Sequence, residues 1–399
     1  MINRRLLVVS PTPFAPSDAG NRIRIGNLVA ALARSGVDVH FLHVAREPGD
    51  AAAMAAALGT GRFRSLPYAR PPRQESGAAR LARRVRQVFD RDARHQWGLD
   101  DWYDPAITGA VLDWHREAGF DAVMVEYVFF SALFEHLPPG VLRILDTHDR
   151  FALRHRLYLA QGMAPRFFST SVAEEARGFS RADVVVAIQP SEREAFAQVT
   201  ARPVITVGHL VRVEDCFGQA PGDRPRFLVV GSENEINVDG LRRFLAEDWP
   251  LVRKALPAAL LLVAGGLSKH VAARDDVLPL GFVEDIAAAY RQAHAVVNPV
   301  RSGTGLNIKS IEALGFAMPL IASPAGSRGL EDAAGSAFAL AETPAALARA
   351  ATRIWAEPAY AGELSASARR YAEAWNAAAL GELQRLLAGP APRPVERVA

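Results

Sequence analysis

The strongest chemical signal in the chain is the run Val297-Asn298-Pro299-Val300-Arg301-Ser302-Gly303-Thr304-Gly305-Leu306-Asn307-Ile308-Lys309-Ser310-Ile311-Glu312-Ala313-Leu314. A strand-like stretch ends near Pro299. Gly303 and Gly305, flanking Thr304, let backbone N–H groups approach an anion closely. Leu306 leads into Asn307, which suits the N-cap of the helix that follows. A helix N-terminus attracts phosphate through its free N–H groups and its dipole. Lys309 adds a positive charge in the first turn, and Glu312 lies on the same helix face three residues later. A carboxylate there accepts paired hydrogen bonds of the kind that ribose hydroxyls donate. An ordinary glycine turn, followed by a helix with an i,i+3 ion pair, accounts for the same residues locally.

Three further stretches leave strands with polar residues. In Val229-Val230-Gly231-Ser232-Glu233-Asn234-Glu235-Ile236-Asn237, Gly231 and Ser232 sit at a strand's carboxyl end, and Asn237 is expected to cap the next helix. A plain strand-to-helix turn reads equally well there. In Leu145-Asp146-Thr147-His148-Asp149-Arg150, a strand ends in polar residues, and His148 is placed to bind a sugar hydroxyl or handle a proton, or simply to cap a helix. In Asp18-Ala19-Gly20-Asn21-Arg22, Gly20 and Asn21 can face a phosphate or an acceptor with Arg22 as a charge clamp, or form an irregular loop.

The elements that must position these residues alternate. Strand-length apolar runs cover Arg5–Ser10, Val37–Val44, Ala122–Glu126, Leu142–Asp146 and Val184–Ile188. Their continuous apolarity means burial on both faces, as in a parallel sheet. Helical patterns over Ile23–Arg34, Ala106–Glu117, Val172–Ser180 and Glu192–Val199 separate them, which is a doubly wound α/β layout. After the turn-rich Gln219–Pro225 the alternation restarts, with strands over Arg226–Val230, Leu260–Ala264, Val277–Leu280, Ala295–Pro299 and Leu320–Ser323 and a helix over Val238–Leu256. The expected division is a domain over 1–208, a linker over 209–224, a second domain over 225–389 and a disordered tail over 390–399.

Composition narrows the function. The chain has 399 residues, half of them apolar, with 46 basic and 43 acidic residues and a net charge of +3. That length suits two domains, and the near-neutral balance disfavours a nucleic-acid partner. Cys216 is the single cysteine, so no internal disulfide is possible. No apolar run approaches a membrane span. The N-terminal apolar run is short and interrupted by Pro11 and Pro13, so it reads as a buried first strand rather than a signal peptide. Dinucleotide, P-loop and zinc motifs are absent, so neither a metal nor a cofactor is expected. Asp90-Arg91-Asp92 matches the acidic motif of metal-dependent sugar transfer but does not follow a strand. It lies in Arg62–Arg94, a segment with ten arginines and three acids that looks inserted. Within it, Ala79–Phe89 fits a basic helix with Leu81, Val85 and Val88 at helical spacing, either a solvated surface or a contact with an anionic membrane or acceptor.

Two α/β halves, with a glycine loop and a helix-borne glutamate late in the second, resemble GT-B glycosyltransferases, and most closely the retaining, sugar-nucleotide-dependent family 4. Val230-Gly231-Ser232 with Asn237 and Phe244, Gly281-Phe282-Val283-Glu284-Asp285 before Tyr290, Gly305 to Pro319, and Ala325-Gly326-Ser327-Arg328-Gly329-Leu330 carry the likeness. Gly20 with Arg22 and Thr147-His148-Asp149 fit in the first half. The resemblance implies two Rossmann-like domains facing a central cleft. It implies that Glu312 holds the nucleotide ribose, that Lys309 and Gly303-Thr304-Gly305 bind the diphosphate, that His148 lies near the donor sugar, and that the Gly20 loop approaches donor phosphate and acceptor. Thr304 stands eight residues before Glu312, where the family's E-x7-E motif has its first glutamate. The implied activity is sugar transfer with retention from a UDP- or GDP-sugar to a sugar or lipid-linked acceptor, in the cytoplasm or at the inner membrane face. A sugar-nucleotide 2-epimerase and a catalytically degenerate nucleotide-sugar-binding protein are the alternatives.

Overall fold

Strands that are apolar without interruption can be covered on both faces only inside a layered α/β unit, and the chain forms two of these. The structure is a computed structural model that describes the chain apart from residues 1–3, 18, 73–80, 82–84, 86, 88, 161, 163, 166, 223, 304, 305 and 390–399. One unit comprises Met1–Ser17, Asn21–Gly208 and Leu380–Ala399, the other Asp18–Gly20 and His209–Ala379.

The first unit has a seven-stranded parallel sheet: β1 (Arg5–Ser10), β2 (Asp38–Ala45), β3 (Phe63–Pro67), β4 (Ala122–Glu126), β5 (Leu142–Asp146), β6 (Val184–Ala187) and β7 (Val204–Thr206). Its order is β3-β2-β1-β4-β5-β6-β7. The second unit pairs β8 (Arg226–Val230), β9 (Leu260–Ala264), β10 (Val277–Gly281), β11 (Ala295–Asn298), β12 (Leu320–Ala322) and β13 (Ala339–Leu340) in the order β10-β9-β8-β11-β12-β13. The order reverses direction between β1 and β4 in the first sheet and between β8 and β11 in the second. Open parallel sheets bind ligands beyond their carboxyl ends at such reversals. Each unit has its own core. One is built around Trp114, Phe129 and Phe168, the other around Phe244, Trp249 and Val263.

Three strands lack a sequence signal. β7 and β13 are very short, and β3 lies at the edge inside the arginine-rich segment that looked inserted. That segment is therefore partly sheet: Arg62 pairs with Asp38 at 2.8 Å and Arg64 with Glu117. The remainder of the expected basic helix is described only at Leu81, Val85, Gln87 and Phe89; its other positions, and the tail 390–399, lie outside the described residues. The expected helix 238–256 is present as an unbroken helical stretch over 235–255, in which the π-helical turn Phe244–Asp248 separates Glu235–Arg243 from Trp249–Ala255. Pro250 has no N–H to give to the preceding turn, which accounts for the wider turn there.

Residues 209–211, expected within a linker, are held by Trp375 and Asn376 of the long helix Pro358–Ala388, two residues of the same unit as His209. Trp375 Nε1 donates to the His209 carbonyl at 2.8 Å, and Asn376 exchanges two hydrogen bonds with the Val211 backbone at 2.9 and 2.7 Å. At the end of β9, Gly265 has φ +79°, and a Cβ there would stand 2.6 Å from the Gly231 carbonyl oxygen. Gly265→Ala is therefore expected to destabilise the protein by about 1–3 kcal/mol, measured by urea unfolding.

Candidate functional site

In the second unit, two of the polar stretches come together where the strand order reverses. β8 ends in Val230, and Gly231 and Ser232 turn the chain towards the helix Glu235–Arg243. Asn237 does not cap that helix. Asn234 does, accepting from the Asn237 N–H at 2.8 Å. This frees the buried Asn237 side chain to bridge. Its Nδ2 donates to the Ser232 carbonyl at 3.0 Å and lies 3.3 Å from Ser232 Oγ, and its Oδ1 accepts from Lys309 Nζ at 2.5 Å. Ser232, Asn237 and Lys309 thus form one hydrogen-bonded corner, next to Gly231, whose N–H goes to the Ala264 carbonyl.

The loop after β11 is fixed from below. Buried Asn298 donates to Asn307 Oδ1 at 2.7 Å and to Ser310 Oγ at 2.8 Å, and Ser310 Oγ donates to the Gly326 carbonyl at 2.6 Å. Asn307 occupies the N-cap position of the helix Ile308–Gly315, but its side chain makes no capping bond, because Asn298 has taken its oxygen. Gly303 adopts φ +147°, and its carbonyl accepts from Arg328. Leu306 is buried. Thr304 and Gly305 lie outside the described residues.

Lys309 and Glu312 do not form the i,i+3 ion pair that their spacing allows. Lys309 turns to Asn237 instead, and Glu312 Oε1 lies 3.7 Å from Nε2 of the fully buried His209. Burial pushes the Lys309 ammonium down to about 8, with the nearby Glu312 charge opposing the shift. His209, Asn298 and Arg328 were not singled out in the sequence as site residues. Only the position of Asn298 and Arg328 beside the glycine loop hinted at them, and His209 had no signal.

In the first unit, Asn21, Tyr127 and His148 meet. Asn21 Nδ2 donates to the Tyr127 hydroxyl at 3.1 Å, and the Tyr127 and His148 rings stack at 4.3 Å. Tyr127 and His148 both have positive φ, 72° and 59°, an uncommon conformation for such residues. The buried Glu126 at the end of β4 hydrogen-bonds His148 Nε2. Burial and the Asp146 charge raise the Glu126 carboxyl above its ordinary range. Both oxygens of Asp146 in turn accept from one nitrogen of the buried Arg24, Nη2, at 2.6 and 2.8 Å, while Nη1 donates to the Val207 and Gly208 carbonyls at 3.1 and 3.2 Å.

Ligand atoms of Glu126, Asp146 and His148 lie within 4.8 Å of one another, a spacing that suits a cation. The Arg24 guanidinium already occupies Asp146, and its fixed charge opposes a metal there. Arg22 turns to Glu47 at 3.7 Å and to the Pro48 carbonyl at 3.1 Å, and Asp149 pairs with Arg154 at 3.1 Å. Gly20 opens the helix Gly20–Arg34 without a left-handed backbone. Asp90 and Asp92, the acidic motif, are structural: Asp90 accepts the Asp92 N–H at 2.9 Å, and Asp92 binds His155 at 2.9 Å and Arg156.

The two parallel-sheet units, each with one strand-order reversal, have the GT-B fold of the solved structures described next, and residues 224–357 match the family model described as glycosyl transferases group 1. The chain is similar to sucrose-phosphate synthase from Thermosynechococcus elongatus, with 20% identity over 96% of this chain and 99% of that one and a TM-score of 0.64. It is similar to a point mutant of S. aureus TarM, solved with fondaparinux, alpha-GlcNAc-glycerol and UDP, with 10% identity over 97% and 100% and a TM-score of 0.66. It is also similar to Anabaena HepE, solved with UDP and glucose, with 12% identity over 95% and 98% and a TM-score of 0.63. No curated protein sequence matches the chain.

Proposed function

We propose that the chain is a retaining glycosyltransferase of the family 4 type, which moves a sugar from a UDP- or GDP-sugar to a hydroxyl of a sugar or lipid-linked acceptor in polysaccharide or glycoconjugate biosynthesis. One observation carries the reading: the Ser232–Asn237 corner is bonded to Lys309 at the reversal between β8 and β11, where a parallel sheet receives a ligand. UDP in the TarM and HepE structures supports a nucleotide donor.

The chemistry follows from charge. As the bond from sugar to diphosphate breaks, negative charge grows on the leaving group. Lys309 and the amides at the start of Ile308–Gly315 stabilise it, and Glu312 accepts the ribose hydroxyls. In the first unit, Glu126 fixes the orientation of the His148 ring by a hydrogen bond to its Nε2. No carboxylate is marked as a nucleophile, which suits attack from the face that the leaving group departs.

Because the free Lys309 ammonium titrates near 8 and an anion favours its charged form, nucleoside diphosphate affinity is expected to fall as pH rises through about 8. Lys309→Met should bind weakly and lose that dependence, as read by calorimetric titration across the range.

Peripheral attachment to an anionic membrane at the cytoplasmic face is supported by Leu81, Val85 and Phe89, which are 64%, 49% and 85% exposed at one-turn spacing within the arginine-rich segment. Among the described residues no helix is long and apolar enough to cross a membrane.

Thermal melting with UDP-, GDP-, dTDP- and CMP-sugars tests the donor assignment. At 100 times Kd a true donor adds about 2.7 kcal/mol to the native state. The expected result is a rise in Tm with one nucleotide class that is lost in Lys309→Met. No shift with any of them would overturn the reading.

A further inference from the structure

Two arginines at the carboxyl end of the first sheet have no part in the scheme above. Arg46 directly follows β2. Its guanidinium carbon stands 4.4 Å from the Trp102 ring centroid and 5.1 Å from that of Phe167. Among the described residues its ion-pair partner is Glu47, at 3.5 Å, too far for a good hydrogen bond. Burial, only partly offset by Glu47, lowers the Arg46 pKa.

Arg154 lies over the same ring, its guanidinium carbon 5.4 Å from the Phe167 centroid. Its other nitrogens meet Asp149 and the Tyr158 hydroxyl, while its Nε is buried without a hydrogen-bond partner. Trp102 Nε1, also buried, lacks one as well. Donors therefore gather around Phe167 with too few acceptors, although a buried donor left unpaired costs stability and is usually matched. A planar guanidinium fork with open donors, set against aromatic faces, is suited to a phosphate or carboxylate. Tyr127, which stacks on His148, has its centroid 6.4 Å from that of Phe167, so an anion held here would lie beside the His148 patch.

We propose that the first unit binds an acceptor carrying a phosphate or carboxylate group, recognised by Arg46 and Arg154. The acceptor role rests on the glycosyltransferase reading; the anion site does not.

The test is calorimetric titration of the full chain with glycerol 3-phosphate and with glucuronate, using glycerol and glucose as neutral controls. At least one anion is expected to bind while both neutral compounds fail, and Arg46→Gln and Arg154→Gln should each weaken binding about tenfold, as expected for loss of a charge-assisted pair. Arg46→Lys, which keeps the charge but not the fork, should fall between, and it carries the test if Arg46→Gln loses its circular dichroism signature. Lys309→Met should leave anion binding intact. Failure of both anions to bind, or loss of binding in Lys309→Met but not in the arginine variants, would overturn the proposal. UDP and GDP titrated separately keep the two readings apart: parent protein that binds glycerol 3-phosphate but neither nucleotide retains the anion site and loses the donor assignment.

Discussion

Glu312→Ala is expected to bind its nucleoside diphosphate about 100-fold more weakly than the parent protein, the effect of losing two charge-assisted hydrogen bonds. The carboxylate is free for this task because the structure gives it no strong partner. Lys309 bonds to Asn237 instead, and His209 stands 3.7 Å away. Glu312→Gln keeps one acceptor oxygen and should fall between the two. The loss should appear as weaker binding with little change in unfolding midpoint, since the side chain is partly exposed and holds no structural pair. Calorimetric titration with UDP and GDP reads it directly, and unchanged affinity would remove Glu312 from the site.

Arg24→Ala is expected to destabilise the chain by about 3–5 kcal/mol, because it leaves the Asp146 carboxylate buried and unpaired. Both side chains are 1% exposed, and Arg24 Nη2 meets both carboxylate oxygens. The same change strips two hydrogen bonds from the Val207 and Gly208 carbonyls. Guanidinium unfolding measures the loss. The double variant Arg24→Met with Asp146→Leu should recover much of it, since a buried ion pair and a well-packed apolar pair of similar volume differ little in net stability. Because the Asp146 charge helps to keep the Glu126 carboxyl high, the double variant should also alter how Glu126 holds His148.

The strands were legible because parallel strands buried on both faces are apolar without interruption. Leu6–Val9 and Leu260–Ala264 show this directly. β3 was not legible, because an edge strand in contact with solvent can carry Arg64 and Ser65 and loses the apolar signature. The glycine loop and Lys309 stand out as candidates in the sequence because phosphate chemistry imposes local spacing. The caps were misread because Asn234 and Asn237 are both competent, and only the packing of Lys309 against Asn237 decides which of them caps. Arg24, Glu126, Tyr127 and His209 were invisible for a related reason. Each acts through partners distant in sequence, and a buried polar residue carries no local pattern that announces its partner.

The account stands most directly on the fate of the donor. Its test is proton nuclear magnetic resonance of the anomeric signals while the protein is incubated with the sugar nucleotide that raises its Tm, first alone and then with a panel of acceptors that includes phosphorylated and carboxylated sugars. The prediction is a donor that stays intact alone, is consumed only with an acceptor, and yields a product with the donor's anomeric configuration. A donor converted at its 2-position without any acceptor, or bound tightly with no turnover across the panel, would contradict the assignment.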